Sequence, residues 1–204
     1  MKKSLAFFGA FNPPTLAHLE LARFALDKTG WDEAVFVPSK AAYIKKEQGK
    51  DFAYSDQTRL AMLRAAAQSR PWMRVADWEI HQQNQPRTYI TLCALRAQGI
   101  EAALLMGSDK LKELSTGWSY VEDIVREFGI VCLARGEDDC EALIAADPFL
   151  RRLSDGIRVL HTPEAFRNVS STAVRRRVLQ IQALREEIRA MAPAEILPLM
   201  DFGR

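Results

Sequence analysis

Short apolar runs alternate with amphipathic stretches along the whole chain. Leu5-Ala6-Phe7-Phe8, closed by Gly9, reads as a strand; Leu16, Leu19, Leu21, Phe24 and Ala25 then recur at helical spacing until Gly30 stops them. Ala34-Val35-Phe36-Val37 is a second strand, ended by Pro38, and residues 56–69 carry Leu60, Leu63, Ala66 and Ala67 at a helical period. Met73–Ile80 reads as a third strand and residues 88–98 as a helix ended by Gly99. Ala102–Met106 is a fourth strand, stopped by Gly107-Ser108-Asp109, and residues 120–127 are helical. Ile130–Ala134 and Ile157–Leu160 are the last strands, with a helix predicted over 138–153 between them and another from Ser171 to near the end. The lysine-rich stretch Lys40–Lys50 is predicted to be a mobile loop.

Strands of about five residues separated by longer helices imply a parallel sheet with crossover helices. The expectation is an α/β fold, a Rossmann-like doubly wound parallel sheet with C-terminal helices. No repeat or linker divides residues 1–204, so one domain is expected, with 171–204 as its C-terminal helical part. Ligands of such sheets sit beyond the carboxyl ends of the strands. Attention therefore falls on 9–18, 38–50, 107–109 and the segment after Leu160.

Composition narrows the classes. In 204 residues, 48% are hydrophobic, and 28 Lys and Arg stand against 26 Asp and Glu. Near-neutrality excludes a histone-like polyanion binder and leaves small anionic ligands open. No apolar run approaches the ~18 residues that span a bilayer, and Leu5–Phe8 is too short for a signal peptide. Cys93, Cys132 and Cys140 have no C-x-x-C spacing and read as inert thiols in a reducing, cytoplasmic setting. Histidines at 18, 81 and 161, without an HExxH, argue against a structural zinc site.

The segment Gly9-Ala10-Phe11-Asn12-Pro13-Pro14-Thr15-Leu16-Ala17-His18 delivers the chain to a helix N-terminus, where free amides and the helix dipole favour an anion. Gly9 allows close backbone approach, one proline suits the first helical turn, and Thr15 and His18 share a face. It is neither a Walker A loop nor a G-x-G-x-x-G turn. The plain alternative is a tight turn with a capping Thr and a satisfied His. Near the other end, Asn168-Val169-Ser170-Ser171-Thr172-Ala173-Val174-Arg175 offers a second capped helix start, with Arg175 one turn in and able to reach a phosphate. Its alternative is an ordinary basic helix with Arg175-Arg176-Arg177 as a solvated face.

GAFNPPTLAH resembles the (T/H)-x-x-H signature of the nucleotidyltransferase (HIGH) superfamily, and FNPxTxxH its pyridine-mononucleotide adenylyltransferase branch. The second string resembles the ISSTxxR motif of the same family, at the expected separation. Ala17 replaces the usual Gly before the final His. The resemblance covers Leu5 to about Leu179 and implies transfer of an adenylyl group from ATP to nicotinate or nicotinamide mononucleotide, with release of pyrophosphate, in NAD biosynthesis. It implies catalytic roles for His18, Thr15, Arg175 and Lys45. It implies ATP contacts at Gly9, Ala10, Phe11, His18, Gly107, Asp109, Ser170, Ser171, Thr172 and Arg175, and mononucleotide contacts at Lys46, Trp78, Thr88 and Trp118.

Gly107-Ser108-Asp109 resembles the family's G-(A/S)-D element, Trp118 the Trp beside the pyridine ring, and Trp72–Glu79 a strand of the eukaryotic-type enzymes. Alone, the first is a turn and each Trp is equally a core or rim residue. The chain lacks the P-P-H-K loop of many bacterial enzymes; its Ala42-Tyr43-Ile44-Lys45-Lys46 is similar to the eukaryotic-type loop, in which either Lys45 or Lys46 would hold phosphate. Arg87-Thr88-Tyr89-Ile90-Thr91 matches the family's SYT segment only in part, Ile90 standing where a polar residue is usual.

Mg²⁺ is expected as a companion of ATP, held by phosphates and water. The partners implied are ATP and a pyridine mononucleotide, with no nucleic acid and no membrane; homo-oligomerisation stays open. The alternatives are another nucleotidyltransferase such as a phosphopantetheine adenylyltransferase, a catalytically silent nucleotide-binding module, and, least favoured, a basic-helix RNA binder.

Overall fold

The computed structural model describes residues 2–46, 52–134, 138–163 and 171–191. In chain order the elements are β1 (Ser4–Gly9), α1 (Leu16–Thr29), β2 (Glu33–Pro38), α2 (Ala41–Lys46), α3 (Asp56–Ala67), β3 (Met73–Val75), α4 (Trp78–His81), α5 (Thr88–Ala97), β4 (Ala102–Gly107), α6 (Ser108–Leu111), α7 (Leu114–Gly117), α8 (Val121–Glu127), β5 (Ile130–Ala134), α9 (Cys140–Ala146), α10 (Pro148–Arg152), β6 (Ile157–His161) and α11 (Ser171–Met191).

The six strands form one parallel sheet in the order β3-β2-β1-β4-β5-β6. Every residue of β4 and β5 is buried, because helices cover both faces and no position can stay polar. The two-residue side-chain period sorts the strands into two cores. Ala6, Val35, Leu104, Met106 and Cys132 pack on one face with Leu92 and Leu95 of α5 and Ile124 of α8. Leu5, Phe7, Phe36, Leu105 and Leu133 pack on the other with Leu19, Ala22 and Leu26 of α1 and Leu63 of α3. The winding reverses between β1 and β4, so their carboxyl ends, Gly9 and Gly107, flank the switch point where such sheets hold ligands.

Four elements depart from the sequence expectation. β3 ends at Val75, not Ile80. The Ala34 amide donates to the Trp72 carbonyl and the Ala76 amide to the Phe36 carbonyl; the next rung would need an N–H from Pro38, which has none. The chain turns at Asp77 into α4, which buries Glu79 and Ile80. The helix predicted over 138–153 breaks at Asp147, held extended before Pro148; Asp147 Oδ1 then caps α10 by accepting from the Phe149 and Leu150 amides at 2.8 and 3.2 Å. The predicted Lys40–Lys50 loop contains α2, anchored by the buried Ile44, and residues 47–51 lie outside the described part. The Gly107-Ser108-Asp109 stop opens a helical turn, α6, and a second turn, α7, follows it.

Cys132 and Cys140 are buried with their sulfurs 4.0 Å apart, unbonded, and burial pushes the Cys132 thiol far up. Among the described residues, no helix is long and apolar enough to cross a membrane.

Candidate active site

The turn after β1 is built around Phe11. Its backbone sits at φ 41° and its ring is buried, edge-on to Phe7 at 5.6 Å and to His18 at 5.2 Å. Gly9 accommodates this ring: a Cβ there would stand 3.1 Å from Phe11 Cζ. The glycine expected to admit a ligand thus first admits the side chain two residues on. Buried Asn12 then donates through Nδ2 to the Phe52 carbonyl at 2.8 Å and accepts the Tyr54 amide at 2.9 Å, pinning residues 52–54 against the turn. Pro13 and Pro14 precede the cap of α1 and do not enter its first turn.

Thr15 is the N-cap of α1, and His18 takes the third helical position. The Thr15 amide donates to His18 Nδ1 at 3.0 Å, and Thr15 Oγ1 lies 2.8 Å from the same nitrogen. The imidazole does here what a carboxylate does in an ordinary capping box. Its Nδ1 must accept, so a neutral His18 carries its proton on Nε2 and presents it as a donor. Thr15 therefore acts on the imidazole from just outside the helix, rather than sharing its surface face.

Arg175, in the first turns of α11, reaches this segment. Its Nη1 donates to the Asn12 carbonyl at 2.5 Å and its Nη2 to Thr172 Oγ1 at 3.1 Å. Residues 163 apart in sequence are thereby joined three residues upstream of Thr15. Ser170 lies outside the described residues; Ser171 opens α11, and its side chain is not described.

Gly107, paired with Leu133, ends β4 and caps α6, placing exposed Asp109 beyond the switch point. Ser108 Oγ donates to Asp138 Oδ2 at 2.7 Å, and Lys112 Nζ donates to Asp138 Oδ1 at 2.7 Å. Lys45 and Lys46 are exposed on the last turn of α2. Trp78 begins α4, Thr88 begins α5, and Trp118 follows α7 half-buried against the core. The described contacts do not join Trp78, Thr88, Trp118 or the two lysines to the Thr15–His18 turn.

Two polar networks beneath the site had no part in the sequence reading. Glu79 is buried; Thr91 Oγ1 donates to its Oε1 at 2.8 Å and Gln85 Nε2 to its Oε2 at 2.5 Å. Burial pushes its carboxyl up to about 7 against the lowering effect of those two hydrogen bonds. Gln85 Oε1 accepts the Lys40 amide, while Lys40 Nζ donates to the Ile80 and Gln82 carbonyls, so the turn after β2 is tied to the α4–α5 connection. The second network centres on Arg59, fully buried on α3. Its one signal in the sequence is its spacing: Arg59 lies four residues before Leu63, on the apolar stripe.

A doubly wound sheet whose first turn and last described helix meet beside its switch point fits a nucleotidyltransferase. The model of the cytidylyltransferase-like family matches residues 6–177. A probable nicotinate-nucleotide adenylyltransferase of Neisseria meningitidis serogroup A is 35% identical over 181 residues, covering 86% of this chain and 88% of that protein. The nicotinamide/nicotinic acid mononucleotide adenylyltransferase of Arabidopsis thaliana is 30% identical over 171 residues, covering 74% and 70%. Among solved structures, Plasmodium falciparum nicotinic acid mononucleotide adenylyltransferase complexed with NaAD matches with a TM-score of 0.65 at 16% identity, covering 86% and 83%, a likeness of fold. The chain belongs to the nicotinate-nucleotide adenylyltransferases of the cytidylyltransferase-like family.

Proposed function

We infer that this protein transfers the adenylyl group of ATP to nicotinate mononucleotide, with nicotinamide mononucleotide as the alternative acceptor, releasing pyrophosphate in cytoplasmic NAD biosynthesis. The observation that supports the reading is the Arg175–Asn12 contact, which ties the first turns of α11 to the segment that leads, three residues on, into the Thr15–His18 cap of α1. The three cysteines, free of disulfides, suit a reducing compartment.

The acceptor phosphate is already an anion, so in-line attack on the α-phosphorus needs no general base. Catalysis reduces to positioning and to stabilising charge on the transferring group. Ordered by the Thr15 amide, His18 donates from Nε2 to an α-phosphate oxygen as negative charge builds there. The amino end of α1, fourteen residues long, adds its dipole. Arg175 spends two donors within the protein and keeps others for the β- and γ-phosphates, and Lys45 or Lys46 draws charge from the leaving pyrophosphate. Mg²⁺ enters with ATP as part of the substrate.

Pyrophosphate release from purified protein supplied with MgATP and either mononucleotide tests the reading. Turnover on the pyridine acceptors is expected. Turnover only on phosphopantetheine, or ATP binding without turnover on any acceptor, would replace it.

A further inference from the structure

Arg59 is an arginine in a hydrophobic core position, with a side chain 0% exposed. Taking a guanidinium out of water is costly, and an apolar side chain of similar volume is often neutral or better at such a site. Its contacts indicate what the charge does there. Nη1 donates to the Ala10 carbonyl at 2.7 Å, Nη2 to the Ser39 carbonyl at 2.5 Å, and Nε to the Tyr54 carbonyl at 3.3 Å. Nη2 also meets Asp56 Oδ1 at 2.5 Å, and that oxygen accepts the Ala41 amide at 2.7 Å. Burial pushes the guanidinium below its ordinary value, opposed by the hydrogen bond and charge of Asp56.

The three carbonyls belong to three separate segments: the turn after β1, the turn after β2 and the entry to α3. The first two are also joined directly, since the Ser39 amide donates to the Gly9 carbonyl at 3.0 Å. Gly9 and Ala10 are expected ATP contacts, and Ala41 begins the helix that carries Lys45 and Lys46. A planar fork with five donors reaches acceptors in these divergent directions; the single ammonium of a lysine does not.

We propose that Arg59 is a positioning residue of the nucleotide site, fixing the Gly9–Ala10 backbone and the start of the lysine-bearing helix in the mutual placement that receives the triphosphate. The proposal rests on the adenylyl-transfer reading for the identity of its ligand. Arg59 touches no substrate and acts through the two turns it joins.

Arg59→Lys keeps the charge and loses the fork. Its KM for ATP should rise about tenfold or more and the KM for the mononucleotide by about threefold or less, because only Lys46 of the expected mononucleotide contacts lies on a segment that Arg59 holds, whereas Trp78, Thr88 and Trp118 lie on others. Leu63→Ala, four residues along the same buried stripe, should lower thermal stability while leaving both KM values near wild type. An Arg59→Lys enzyme with ATP KM within twofold of wild type overturns the proposal, as does a Leu63→Ala enzyme of equal Tm showing the same selective loss. If Arg59→Lys does not fold, Asp56→Asn replaces it: a several-fold rise in ATP KM supports the proposal and an unchanged one overturns it. If the wild type turns over neither acceptor, the functional reading fails by itself. Calorimetric affinity for α,β-methylene-ATP then decides, at least tenfold weaker binding to Arg59→Lys supporting the proposal and equal binding overturning it.

Discussion

Glu79→Gln isolates one buried carboxyl. Glu79 is 1% exposed and its carboxyl is pushed from an ordinary 4.5 to about 7, chiefly by burial. A carboxyl raised in the native state binds its proton more tightly folded than unfolded. Its favourable contribution is therefore complete below about pH 4.5 and is lost as pH rises toward 7. By the linkage relation, the native state loses roughly 2–3 kcal/mol from this group between pH 5 and pH 8. Glutamine keeps an acceptor for Gln85 and a polar group for Thr91 but does not titrate. Urea unfolding of both proteins at the two pH values, followed by tryptophan fluorescence, measures the effect. The stability of the variant relative to wild type should improve by roughly 2–3 kcal/mol on going from pH 5 to pH 8. A difference equal at both pH values would refute the assignment of a raised carboxyl to Glu79.

His18→Ala should lower kcat by about 10²-fold or more with little change in ATP affinity, read from steady-state pyrophosphate release; an unchanged kcat removes His18 from the mechanism. Gly9→Ala puts a Cβ 3.1 Å from a ring held by Phe7, Phe36 and His18, and should cost about 1–3 kcal/mol in urea unfolding and weaken ATP binding. Asn12→Ala removes two hydrogen bonds to the backbone of residues 52–54 and should cost about 2–3 kcal/mol in the same assay.

The strands that the sequence revealed best are those whose burial on both faces leaves an unbroken apolar run, β4 and β5 above all. Gly30, at φ 70°, ends α1 as its residue type suggests. The β3 error has a cause outside the segment itself: the ladder stops because its partner runs out at Pro38. The split at Asp147-Pro148 has a local signal, a proline preceded by a capping residue, whereas α2 is held by the buried Ile44 within a run that looks like a charged loop. In the candidate site, motif spacing marks Thr15, His18 and Arg175 as candidates, and the fold ties Arg175 to the segment that leads into the other two. Asn12 and Arg59 are another matter, because they bind main-chain atoms brought to them by the fold. No residue type marks a carbonyl in advance. An arginine on an apolar stripe was the clue available, and Glu79, in a segment read as a strand, had none.

A crystal of the protein with α,β-methylene-ATP tests the central claim most directly. The account predicts the triphosphate against the amino end of α1, with an α-phosphate oxygen within hydrogen-bonding distance of His18 Nε2 and the Arg175 guanidinium on the β- and γ-phosphates. A triphosphate bound away from α1, or an Arg175 side chain on the far side of the sheet from His18, would contradict it.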